Sequence, residues 1–406
     1  MRAPLKLALA AAAFVLIALA FPGDDAPPQD SDLRPVVAAV PDADNAWTDF
    51  EVIRAAHDAT VEEIRFLGMQ LDGITDAPRV EKLIARNARA MAAFRSFGRR
   101  KAFQDPVTRD PASIGPSTPM PSFLGVVTAA RLCLLHADLL HKSGRASEAL
   151  DETLAVLDAG RVLVGSNQPF LTQLVGGLLL ERASSRALKL VKSGRLPKPR
   201  LLEAARRFST PTGLARGYQD GFRFDYMLGL FVVDHIRTYA IGDFDWMNPS
   251  PIGRLVFRAQ LALARWSFIF MPERTKAHIA RRVRLRIEAA AMPCSAVKMP
   301  DDHVSMGLRN TLGNRFLGYG ETGSRYQEKL LARRCAVDFR VARAGVAAAL
   351  ESFRSERGRY PTELGMLAPR WLPAVPVDPF TGGAIAYSPE TGELRTDGKD
   401  SEGKPL

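Results

Sequence analysis

The chain has 406 residues, 47% hydrophobic and 24% charged, which excludes a chain too polar to bury a core and allows two or three domains. A formal net charge of +11 permits contact with nucleic acid, anionic lipid or acidic polymers and demands none of them. Three cysteines, Cys133, Cys294 and Cys335, exclude a disulfide framework; one bridge could form in an oxidising compartment, between a pair the sequence does not identify.

The N-terminus reads as an export signal. Arg2 and Lys6 make a basic start, Leu7 to Phe21 is uncharged and apolar, and "PGDDAPPQDSD" ends it abruptly. With the small-x-small triplet Ala18-Leu19-Ala20, this pattern predicts a signal peptide over 1–20, cleaved after Ala20. The apolar run is shorter than the roughly 20 residues a membrane helix needs. The alternative is an uncleaved anchor that ties the protein to a membrane through Leu7–Phe21. Residues 21–45, rich in Pro and Asp, read as a linker.

From Trp47 the apolar residues recur at three- and four-residue steps, which predicts helix from there to Leu71, and again from Val80 to Phe103. Prolines make 104–122 a loop. Residues 129–160 read as two helices around "KSGRAS". There Ala137, Leu140, Gly144 and Ala149 fall where a tetratricopeptide hairpin places small, large, turn and small residues. No second copy follows at a fixed period. Helix resumes over 170–194 and 200–208, and 224–240 is apolar nearly all round, as in a core helix. Two further helices are expected near 251–271 and 273–291. Residues 292–325 are expected as loop with short helix. A last helix over 326–355 carries the stripe Phe339, Ala342, Val346, Leu350, Phe353. The body of the chain, 46–325, is thus expected to be all helical.

Candidate chemistry is sparse. "GYGETG" at 318–323 matches G-x-G-x-x-G, but no buried strand precedes it, so it predicts a turn and no nucleotide site. His136 and His141 are five apart, about 140° around a helix, a poor spacing for two metal ligands. "DDH" at 301–303 has no supporting partners. The basic run Arg274, Lys276, Arg281, Arg282, Arg284, Arg286 could coat a polyanion or cover a solvated helix face; export argues against nucleic acid as the partner. No catalytic, cofactor-binding or metal-binding residue is assigned.

The stretch "RGRYPTELGMLAPRWLPAVPVDPFTGG" (357–383) is different in kind. Gly358 can take the left-handed conformation that ends a helix. Pro361 holds Tyr360 extended. Leu364 and Leu367 share one side of a short turn, Trp371 follows between prolines, and Asp378-Pro379 opens a turn before Phe380. "AIAYSPETGELR" reads as strand, turn, strand. The candidate structural or partner-binding residues are Tyr360, Pro361, Trp371, Asp378, Pro379 and Phe380.

In that order, Tyr-Pro, Asp-Pro-Phe-x-Gly and hairpin, residues 336–403 resemble the C-terminal part of the major pseudopilin of type II secretion systems. The resemblance implies a helix running into a small antiparallel sheet, and a calcium loop near Asp397, Asp400 and Glu402. The whole layout also resembles a group of exported bacterial helical proteins that carry this tail, with "NRFLG" as a second point of likeness. The expectation is a mainly α protein: a body of helical hairpins, then a pseudopilin-like unit over 326–406. The expected role is a non-enzymatic protein of the periplasm or inner membrane with a protein partner in the cell envelope. A membrane-anchored minor pilus-type subunit and a hydrolase with a scattered site are the alternatives.

Overall fold

The structure is a computed structural model and describes residues 24–110, 121–235, 270–297, 310, 312–314, 317, 323–399 and 402–406. It is mainly helical, with one small sheet. The expected export signal and residues 251–269 of the helix expected near 251–271 lie outside the described residues.

Two helices, α1 (Trp47–Ala56) and α2 (Val61–Gln70), occupy the first predicted span. The break has a local cause. Thr60 accepts from the Glu63 backbone N–H, while the Glu63 carboxylate accepts from the Thr60 N–H, and this reciprocal cap starts a new helix. The second span is likewise divided, into α3 (Ala77–Arg86) and α4 (Ala88–Phe97). Asn87 sits at the junction. Its side chain donates to Leu83 O and Asp58 O and accepts from the Asp58 N–H, fastening the bend to the α1–α2 corner. Trp47, Phe50, Phe97, Phe103 and Phe123 close this end of the core, with ring centroids 5.1 to 5.8 Å apart.

Next come α5 (Leu124–Lys142) and α6 (Ala146–Val164), a hairpin that turns at Gly144. Gly144 has φ +83°, which a residue with a Cβ adopts only with strain. Among the described residues α5 is the one helix long and apolar enough to cross a membrane, and most of it is buried in the core. Helix α7 (Phe170–Lys192) lies against α6. At their crossing a Cβ on Gly176 would stand 2.7 Å from Val164 Cγ2 and 2.9 Å from Gly160 O, so only glycine permits the approach.

Helices α8 (Lys198–Ser209) and α9 (Leu214–His235) follow, and α10 (Pro272–Ala291) packs on α9. The long helix α11 (Gly323–Arg357) packs on α7 and α8. Its stripe of Phe339, Val346, Leu350 and Phe353 is buried there, and Glu356 near its end bonds Lys198 at the start of α8, 2.6 Å. One continuous cluster of buried side chains runs from Leu33 to Leu394, across the 325/326 boundary drawn from sequence. After α11 come a single 3-10 turn (Leu364–Leu367) and two short antiparallel strands, β1 (Ala386–Ser388) and β2 (Glu393–Arg395), with Tyr387 opposite Leu394.

The Pro- and Asp-rich segment expected as a linker is fastened to the body at several points along 24–45. Asp24 accepts from the backbone N–H groups of Glu273 and Arg274 at the start of α10 (2.7 and 3.2 Å). Asp30 accepts from the Tyr226 hydroxyl (2.8 Å), and Asp32 pairs with Arg284 (2.8 Å). Leu33 is buried. Further on, Asn167 donates to Val36 O, and Gln104 donates to Ala38 O and accepts from the Val40 N–H. We call residues 24–45 the strap.

Cys294 and Cys335 form a disulfide that joins the segment after α10 to α11. It closes a loop of 41 residues, a constraint typically worth about 4 kcal/mol through the unfolded chain. Cys133 is free and buried.

Candidate functional site

The six candidate residues fall into two separate groups within the C-terminal unit. Gly358, at φ +75°, ends α11 and turns the chain back along it. Tyr360 then lies against the helix. Its hydroxyl donates to Glu351 Oε1 at 2.7 Å, and the Arg354 guanidinium sits 5.2 Å from its ring. Burial and the Glu351 carboxylate push its hydroxyl up to about 12, so it stays protonated and keeps donating. Gly392, between the strands at φ +70°, presses on this ring, where a Cβ would come within 2.7 Å. The Tyr387 hydroxyl donates to Pro361 O at 2.8 Å, which ties the hairpin to the Tyr-Pro turn.

Trp371 is 6% exposed and its ring centroid lies 4.8 Å from that of Phe353 on α11. The Arg370 guanidinium sits 4.8 Å from the Trp371 ring and also pairs with Glu356 at 2.6 Å. Between the Tyr-Pro turn and Trp371 opens a groove of about 670 Å³, with Met366, Thr362, Arg357 and Arg359 on its remaining sides. Tyr360, Pro361 and Trp371 therefore line one site.

Asp378, Pro379 and Phe380 do not reach it. Asp378 is buried, accepts from the Phe380 N–H (2.8 Å) and from Thr396 Oγ1 (2.6 Å), and so organises the turn from within. Pro379 O and Phe380 O accept from the backbone N–H groups of Cys294 and Ser295 (3.2 and 2.8 Å). The second group is thus a joint, placed beside the disulfide. Gly398 lies beneath the Phe380 ring with no room for a Cβ.

Elsewhere, polar clusters hold helices together. Glu152 accepts from Arg95 Nε and Nη2 (3.1 and 2.6 Å) and lies 2.9 Å from His136 Nδ1, linking α4, α5 and α6. Cys133 adjoins it, but burial and Glu152 push its thiol far above the ordinary range, and no solvent reaches it. Most of the basic run on α10 is half-buried and paired within the fold. Arg284 is bound to Asp32 and Gln29 O, Lys276 to Glu273 and Asp234, Arg282 to Leu317 O, and Arg281 alone of the six is exposed. Among the described residues no group of three His, Cys, Asp or Glu could hold a metal. Asp400 of the calcium loop implied by resemblance, "DDH", and residues 318–322 of "GYGETG" lie outside the described residues.

Three features of the site escaped sequence reasoning. The cysteine pairing needed the approach of two distant segments. The exposure of Arg357 and Arg359 could have been suspected from their place in the last turn and just beyond Gly358. The cavity itself has no sequence signal, because it is the space left between the Tyr-Pro turn and the Trp371 segment. No family model, no curated protein and no solved structure matches the chain.

Proposed function

We propose that this chain is an exported, non-enzymatic protein of the cell envelope that works through protein–protein contacts made by its C-terminal unit, beside a secretion or surface apparatus. The observation that carries the reading is the pairing of Cys294 with Cys335, since such bridges persist in oxidising compartments such as the periplasm and are rare in the cytosol. It agrees with the basic, apolar and small-residue order of the first 20 residues. The groove, with aromatic and arginine side chains on a fastened scaffold, has the composition that concentrates binding energy at interfaces.

Two finer likenesses belong to this proposal. The α5–α6 hairpin is TPR-like, supported by Gly144 in its turn and by the buried Ala137 and Ala149. Residues 326–406 form a pseudopilin-like unit, supported by the succession of long helix, Tyr-Pro turn, Asp-Pro-Phe turn and antiparallel hairpin.

Cross-linking of intact native cells, followed by fractionation and mass spectrometry, tests the function. The expected result is protein in the periplasmic or membrane fraction, cross-linked to another envelope protein. Recovery from the cytoplasm with no intermolecular cross-link contradicts it.

A further inference from the structure

The groove is lined by two chemically different sets of side chains. One is apolar and aromatic: Tyr360, Trp371 and Met366, the last 45% exposed although its neighbours Leu364 and Leu367 are buried. The other is basic. Arg359 is exposed and makes no hydrogen bond or ion pair among the described residues. Arg357 is exposed and reaches Glu356 only at 3.9 Å, and that carboxylate already bonds Lys198 and Arg370 at 2.6 Å each. No carboxylate among the described residues lines the groove. Two under-compensated guanidinium groups beside an apolar floor call for a ligand that brings both negative charge and an apolar side chain.

The walls are also held in advance. Tyr360 is fixed by Glu351, Pro361 by Tyr387, and Trp371 by Phe353, so binding orders little besides the two arginines and Met366. The volume of about 670 Å³ lies within the usual range of ligand sites and suits a few residues of extended chain.

We propose that this groove docks an extended acidic peptide segment of a partner protein. One apolar side chain seats against Trp371 and Met366, and flanking carboxylates pair with Arg357 and Arg359. The inference rests on the contact-mediated reading above and supplies the chemistry of its partner.

A phage-displayed library of random decapeptides, selected on the purified exported protein, tests it. Peptides with Asp or Glu on both sides of an aromatic or large aliphatic residue should be enriched. A selected peptide, followed by fluorescence anisotropy, should lose affinity by about tenfold or more in the Arg357→Glu/Arg359→Glu variant, and should weaken as salt rises. Both arginines are exposed, so this variant should melt like the parent; Arg359→Glu alone serves as the second variant if it does not. Selection without acidic bias, no retained peptide, or equal affinity for the variant overturns the proposal. If that happens while cells still yield an envelope partner cross-linked through other faces, the groove assignment falls and the contact-mediated function stands.

Discussion

The strap (24–45) and the C-terminal unit (358–399) are both rich in Pro, and both lie on the helical body, yet different forces hold them. The C-terminal unit is attached by area: Leu364, Leu367, Trp371, Leu372 and Phe380 are buried and belong to the main core. The strap contributes Leu33 to that core and is otherwise held by polar contacts, Asp24 on a helix N-terminus, Asp30 on Tyr226 and Asp32 on Arg284. Burial of large apolar side chains is worth several kcal/mol each, whereas partly exposed ion pairs are worth less than about 1 kcal/mol. The first should therefore behave as part of the fold and the second as a detachable layer on it.

The largest expected effect is at Trp371. Truncation of a buried aromatic typically costs about 3–5 kcal/mol. Trp371→Ala should lower the melting temperature clearly and expose 358–399 to protease. A variant that melts like the parent, with its tail equally protected, would mean that the ring stabilises nothing and serves only the groove.

The smaller effect is at the strap. Arg284→Ala should cost less than about 1 kcal/mol at neutral pH, because the pair it breaks is partly exposed. Its signature is pH dependence. Arg284 holds the Asp32 carboxyl below its ordinary value of 3.8. At Asp30 burial raises the carboxyl, and the bonds from Arg34 and Tyr226 outweigh it, so this group too lies low. A lowered carboxyl stabilises above its unfolded value and loses that contribution as pH falls through its folded value. A fluorophore at Ala26→Cys should therefore keep high anisotropy above about pH 4 and lose it in stronger acid. In the Arg284→Ala background the loss should begin at higher pH. Anisotropy that is already low at neutral pH would show that the strap is free.

How much of this was written in the sequence follows the same division. Periodic apolar residues mark the helices, and the aromatic spacing of 357–383 marks an attached unit, because each signal is local. The α1–α2 break also had a local sign, the Thr60-x-x-Glu63 cap, but the apolar repeat runs on through Ile64 and Leu67 and masks it. The strap was opaque. Its partners Tyr226 and Arg284 lie 196 and 252 positions away, and single acceptor–donor pairs at that range leave no pattern. The site was half visible: Tyr360, Pro361 and Trp371 stand out as anchors, while its basic lining depends on which arginines near Gly358 remain under-compensated after folding.

The claim of an exported, bridged protein is tested most directly by non-reducing peptide mapping of the chain from its native host, with free thiols trapped at lysis. The expected result is a mature N-terminus at Phe21 and a single peptide containing Cys294 linked to Cys335, with Cys133 unmodified until the protein is unfolded. A membrane-bound chain that begins at Met1 and keeps the bridge would give the anchored form of the same protein. A cytoplasmic chain that begins at Met1, with Cys294 and Cys335 both trapped as thiols, would show a protein that is neither exported nor bridged.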